Sequence, residues 1–94
     1  MYLMTCHYQL KPGTRDTLLR RIREKELERR FSSQPGCLEY VFLIPPDRPD
    51  ELRVLERFVD AEHFELHKTC DAAEDWRAVS QKYIVGRDNH GYVC

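Results

Sequence analysis

The sequence has no Cys-x-x-Cys pair, no glycine-rich phosphate loop and no apolar run near the ~18–20 residues that cross a bilayer. Its four cysteines, Cys6, Cys37, Cys70 and Cys94, are widely and unevenly spaced. Structural zinc sites draw their ligands in close pairs, so no metal is expected, and free thiols that pack as small apolar groups are. Without a phosphate-cradling loop, neither bound flavin nor bound nicotinamide is expected. Charge of one sign is also missing: 15 basic residues stand against 16 acidic ones, a formal balance of −1. Nothing recruits nucleic acid or an anionic membrane through a global basic surplus. Met1-Tyr2-Leu3-Met4-Thr5 has neither the basic start nor the long apolar core of a secretion signal. A cytoplasmic protein is the expectation.

What is present is enough for one domain over residues 1–94. A chain of this size buries only about 60–65% of the surface its unfolded form exposes. Association with a second copy is a cheap route to more buried apolar area.

Residues 2–10 alternate. Tyr2, Met4, Cys6, Tyr8 and Leu10 share one parity and are all apolar or aromatic; Leu3, Thr5, His7 and Gln9 share the other. Period two predicts a strand with one buried face. Lys11-Pro12-Gly13 ends it, and Thr14 is placed to cap a helix from about Arg15 to Phe31. Its apolar stripe is Leu18, Leu19, Ile22, Leu27 and Phe31, with a gap from Arg23 to Glu26. The arginines on its remaining face fit a solvated surface paired with glutamates one turn away.

Ser32-Ser33-Gln34-Pro35-Gly36 is a break. Leu38–Ile44 reads as a second strand buried on both faces, and Leu52–Val59 as a third. The proline-studded loop between them, residues 45–50, cannot extend the ladder. Asp60 caps a helix from Ala61 to about Thr69, on which Phe64 and His67 sit three apart and share a side. Cys70-Asp71-Ala72-Ala73 interrupts. Glu74–Tyr83 reads as another helical piece ended by Gly86, and Asn89–Val93 as a short last strand.

The order is β-α-β-β-α-β. This is an α+β plan, the ferredoxin-like sandwich of an antiparallel sheet with helices on one face. The other sheet face then carries Val41, Leu43, Leu55 and Val59 uncovered. Exposed apolar surface over several strands predicts a partner, and a homodimer with two sheets face to face is expected.

Four pieces of this chain resemble one family. They are Lys11-Pro12-Gly13 after the first strand, Pro35-Gly36-Cys37-Leu38-Glu39-Tyr40 opening the second, Val54-Leu55-Glu56-Arg57-Phe58 in the third, and Phe64-Glu65-Leu66-His67-Lys68-Thr69 in the following helix. In this order and spacing the chain resembles the antibiotic biosynthesis monooxygenase family, whose members form dimeric α/β barrels. The resemblance implies a pocket between sheet and helices in each subunit. The family includes cofactor-free oxygenases, haem-degrading enzymes, an isomerase and members without known activity, so the fold does not select the reaction. The chain departs from the family pattern at Phe58, where oxygenases often carry tryptophan. It departs again at Cys6, where haem-degrading members carry asparagine, and at Asp71-Ala72, where many members have a second histidine.

His67 is the candidate catalytic base. An imidazole can take a proton from a phenol, quinol or hydroxyketone and so prepare it to give an electron to dioxygen. The resemblance implies substrate-binding roles for Cys6, Tyr8, Tyr40, Phe58, His63 and Phe64: the tyrosines orient a substrate hydroxyl, and Cys6, Phe58 and Phe64 form walls. No cofactor is expected; haem ligation by His67 is the alternative. His63 and His67 have a metal-capable spacing but no evident third ligand. Glu56 shares parity with Val54 and Phe58, and an arginine or tyrosine is its expected partner. Trp76 reads as the anchor of the last helix. A small-molecule oxygenase is the leading expectation. The alternatives are a non-catalytic dimeric binding module and an isomerase or haem-binding member of the same superfamily.

Overall fold

A computed structural model describes all 94 residues, Met1–Cys94. The elements run β1 (Tyr2–Leu10), α1 (Arg15–Glu24), α2 (Leu27–Ser32), β2 (Cys37–Leu43), β3 (Glu51–Phe58), α3 (Ala61–His67), α4 (Asp71–Ser80) and β4 (Ile84–Val93). The strands form one sheet in the order β2-β3-β1-β4, antiparallel throughout. This is the ferredoxin-like α+β arrangement expected from the sequence. No helix is long and apolar enough to cross a membrane.

Strand parity decides the core. Cys6, Tyr8 and Leu10 of β1 and Leu52, Val54, Glu56 and Phe58 of β3 face the helices and are buried. Leu18, Ile22, Leu27, Phe31, Trp76 and Val79 close on them from the helical layer. On the opposite face Leu3, Val41 and Leu55 are half-buried, and Leu43, Val59 and Tyr92 are exposed. Strand β2 is therefore not covered on both sides as its apolar run suggested. Leu38 sits where the β2–β3 register shifts between Cys37 and Glu39, and it is exposed. A bulge releases one residue from the alternation.

The first helical stretch is two helices, not one. Glu26 adopts a left-handed conformation with φ 51° and ψ 39°. That turn re-aims the chain so that Leu27 and Phe31 become fully buried. The gap in the apolar stripe from Arg23 to Glu26 marks the break. Thr14 occupies the N-cap of α1, but its hydroxyl donates back to the Lys11 carbonyl at 2.6 Å instead of capping. Of the arginines on this stretch, Arg29 pairs with Glu26 and Arg30 with Asp75 of α4. The loop between β2 and β3 is pinned by Arg15, whose Nη1 donates to the carbonyls of Pro45 and Arg48.

The last third departs most from its reading. Cys70 is the N-cap of α4, so Asp71-Ala72-Ala73 begins that helix rather than interrupting. Gly86 lies inside β4, which spans ten residues instead of five. The run Arg87-Asp88-Asn89-His90-Gly91 has little intrinsic strand preference. Its pairing along the whole length of β1 imposes the conformation.

Candidate functional site

Helix α3 is short and strongly started. The Asp60 carboxylate accepts the His63 backbone N–H at 2.8 Å, and that bond holds the carboxyl below its usual range. The helix then presents Phe64 and His67 to the sheet. His67 lands beside Glu56 of β3, with Nε2 3.0 Å from Oε1 and both side chains under 10% exposed. The two atoms are close, but their geometry is not that of an aligned hydrogen bond. Both Glu56 Oε1 and His67 Nδ1 are buried without a hydrogen-bond partner. The other Glu56 oxygen accepts the Cys6 thiol at 3.6 Å. The partner of Glu56 is thus a histidine and a thiol, not the arginine or tyrosine expected from sequence. The two residues come from elements that no periodicity connects.

Aromatic rings enclose the imidazole. The rings of Phe31, Tyr40, Phe58 and Phe64 have centroids 5.1 to 6.1 Å from that of His67. Beside this cluster lies a cavity of about 440 Å³, bounded by the sheet, α3 and α4. His67, Glu56, Cys6, Tyr8, Tyr40 and Phe64 all border it. Trp76 closes one side, packed against Tyr8 and Phe42 with centroids 5.7 and 5.4 Å away.

Two sequence candidates lie elsewhere. Phe58 does not border the cavity; it is fully buried and backs the imidazole. His63 points away from His67 despite the four-residue spacing. Its Nδ1 is 2.7 Å from Asp60 Oδ1, and its ring packs so tightly on Gly36 that a Cβ there would collide with it. The capping carboxylate draws His63 to the start of α3, so the two histidines do not converge on one ion.

Ionisation at the site is shaped by burial. The Cys6 thiol is pushed up to about 12, first by burial and then by the Glu56 charge, so it stays protonated and is a poor nucleophile. Burial also pushes the phenols of Tyr8 and Tyr40 up, the Glu56 charge adding to it in Tyr40. Both remain hydrogen-bond donors across the working pH range. The site thus offers a buried imidazole–carboxylate pair, two neutral phenol donors and apolar walls.

Nε2 of His67 faces Glu56 at 3.0 Å, and Nδ1 is buried with no hydrogen-bond partner, so Nδ1 is the nitrogen left to meet a ligand.

The sequence model of the antibiotic biosynthesis monooxygenase family matches residues 1–79. The chain belongs to this family. Solved structures share the fold. A Nitrosomonas europaea protein, provisionally called an antibiotic biosynthesis monooxygenase, superposes with a TM-score of 0.91 at 17% identity, over 100% of this chain and 98% of its own. A Chloroflexus aurantiacus protein with the same provisional name gives 0.81 at 26% identity, over 99% and 91%. A Pseudomonas aeruginosa protein gives 0.86 at 15% identity, over 99% and 92%. No protein of curated function matches the sequence.

Sequence reasoning missed Arg77, Ser80 and Arg87, which also border the cavity. Arg87 was findable. Had β4 been recognised at its full length, parity would have placed Arg87 on the face of Asn89, opposite Tyr8.

Proposed function

We propose that this chain is a cofactor-independent oxygenase of a small quinol, phenol or enolisable carbonyl compound. The observation that supports it best is the His67–Glu56 contact at 3.0 Å, buried on the wall of an aromatic cavity of about 440 Å³. A cavity of that size suits a ligand of one to three rings. Two buried polar atoms, Glu56 Oε1 and His67 Nδ1, have no hydrogen-bond partner in the protein, and a substrate hydroxyl can supply one.

In this reading His67 takes the hydroxyl proton of the substrate, and Glu56 stabilises the imidazolium that forms. The resulting phenolate gives one electron to dioxygen, and the radical pair joins at a ring carbon that carries hydrogen. The proton held by His67 goes to the peroxide. Cleavage of the O–O bond, with loss of the ring hydrogen, leaves a carbonyl and releases water. One oxygen atom ends in product and one in water. Tyr8 and Tyr40 orient the substrate oxygen, and Cys6 and Phe64 shape the walls.

We place the working unit as a homodimer that buries the open sheet face and so closes an α/β barrel. The exposed Leu43, Val59 and Tyr92 on that face support it. The four free thiols fit a reducing, cytoplasmic setting.

The test is oxygen uptake with a panel of quinols, phenols and hydroxyketones. Turnover should fall at least about 100-fold in His67→Ala. Unchanged turnover in that variant defeats the assignment of His67. No turnover by the wild type across a panel that demonstrably binds leaves a non-catalytic binding module. A Soret band on haemin titration would favour haem ligation by His67 over this reading.

A further inference from the structure

The cavity has an uneven distribution of charge. Its one acidic border residue is Glu56, at the buried end. Three cations border it as well: Lys68, Arg77 and Arg87. The whole chain carries no basic surplus, so this trio is a local concentration. Lys68 is already engaged, with Nζ 3.1 Å from Glu65 and 4.8 Å from the centre of the Phe64 ring. Arg77 and Arg87 have no carboxylate within 4.0 Å, unlike Arg29, Arg30, Arg48, Arg53 and Arg57. Both are exposed, and they come from different elements, α4 and β4.

Each is held in place by something other than an anion. Arg77 Nη1 donates to the Lys68 carbonyl at 3.0 Å, at the end of α3. The Arg87 guanidinium lies over the Tyr8 ring, 5.7 Å from its centre. A guanidinium resting on an aromatic face keeps N–H donors free for an oxyanion.

Resting on the oxygenase reading above, we infer that the substrate is an aromatic anion. Its ionisable hydroxyl lies at the buried His67–Glu56 pair, and an oxyanion group on its solvent-facing side is held by the exposed Arg77 and Arg87. A neutral quinol leaves both guanidiniums without an anion. The cavity border thus combines aromatic walls with a buried imidazole–carboxylate pair and two exposed guanidiniums, which suits a molecule with an apolar body and two different polar groups. An anionic group also keeps the molecule from entering reversed, because its charge would then meet Glu56.

Calorimetric titration of the full chain with three probes of one shape tests this: 2-naphthol, 6-hydroxy-2-naphthoate and 6-hydroxynaphthalene-2-sulfonate. At low salt the carboxylate should bind at least about tenfold tighter than 2-naphthol, the size expected of a partly solvated charge-assisted contact. The preference should shrink in high salt. In the double variant Arg77→Gln/Arg87→Gln the ratio of the two affinities should fall below about threefold. Emission from Trp76, the only tryptophan, reports that the variant is folded. Equal preference for the sulfonate supports a general oxyanion seat, and preference for the carboxylate alone supports a planar one. If 2-naphthol binds as tightly as its acids, the anionic substrate is overturned while the aromatic pocket stands. If the preference survives the double variant, these arginines are the wrong seat. If none of the three binds, the oxygenase reading falls with the inference.

Discussion

On the helix side of β3, Leu52, Val54, Glu56 and Phe58 are between 0% and 5% exposed, whereas Arg53, Leu55 and Arg57, one residue out of step, are half-exposed. Each face carries a carboxylate–nitrogen contact that joins β3 to a neighbouring element. Glu56 meets His67 at 3.0 Å with side chains 7% and 9% exposed; Arg57 meets Glu39 at 2.7 Å with both at 40%. The shorter contact is the weaker one. Water and salt screen the outer pair and solvate either partner when the other is lost. The inner pair has no such refuge, because an unmatched polar group there stays dry. Burial, not distance, ranks the two. One strand thus carries the candidate site on one face and an open, half-apolar surface on the other.

The strongest way to break this ranking is Glu56→Ala. It leaves the His67 imidazole buried with no partner at either nitrogen and removes the acceptor of the Cys6 thiol. The cost should be about 2–3 kcal/mol of stability, read as a lower urea midpoint at unchanged slope. Glu56→Gln keeps the shape and some hydrogen bonding, so it should lose less stability. It should still lose turnover by about 100-fold, since a neutral amide does not stabilise an imidazolium. A wild-type midpoint for Glu56→Ala would show that burial does not set the ranking.

The next effect belongs to the outer face. Val41 and Leu55 are direct partners across the β2–β3 ladder, both half-buried. Placing Val41→Arg and Leu55→Arg together puts two like charges side by side at the proposed dimer interface. Sedimentation equilibrium should show the dimer dissociation constant raised by more than about 100-fold, with the far-UV spectrum of the fold retained. A double variant that stays dimeric moves the interface to another surface.

Much of this comparison is readable from sequence. Alternation in Met4-Thr5-Cys6-His7-Tyr8 and in Leu52 to Phe58 separates the two faces, and Asp60 marks the start of α3 by its capping chemistry. Period two and a local cap are properties of adjacent residues. The meeting of Glu56 with His67 is not, because it depends on how α3 docks on the sheet. Nor is the length of β4, whose conformation is enforced by β1 rather than by its own side chains. His63 shows the opposite failure. Its spacing from His67 suggested convergence, but a single carboxylate three residues earlier drew the ring away. The cavity's arginines escaped notice because each is ordinary in sequence and becomes distinctive only beside an aromatic wall.

A smaller effect sharpens the inner half of the comparison through Cys6. Its thiol is pushed from 9.0 up to about 12 by burial and by the Glu56 charge. The folded thiol therefore holds its proton more tightly than the unfolded one. The stability linked to that proton is complete below about pH 9 and is lost as pH rises toward about 12. Iodoacetamide on the native protein at pH 8.5 (~8.5, near the free-thiol value) should label exposed Cys94 first and Cys6 last, as read by peptide mass mapping. Glu56→Gln removes the negative charge beside the thiol, so Cys6 should react sooner than in the wild type. Equal labelling of Cys6 and Cys94 would mean that the thiol is not sealed in.

The smallest effect is predicted for Arg57→Gln, provided the outer face is open to water. The Arg57–Glu39 bond spans β3 and β2 at 2.7 Å, but its ends are both 40% exposed in the single chain. In the monomer made by Val41→Arg and Leu55→Arg, the variant should unfold at the midpoint of its parent, because water replaces the lost guanidinium at Glu39. In the proposed dimer of the unsubstituted parent the same change should weaken association, because a facing sheet would take that water away and leave a carboxylate unpaired. The prediction therefore turns on a difference between two backgrounds rather than on one value. An equal shift in both would mean that the pair stabilises the single chain, and that exposure of its ends does not make it weak. No shift in either would remove the pair from the interface. Only the asymmetric outcome fits a face that is wet in the monomer and dry in the dimer.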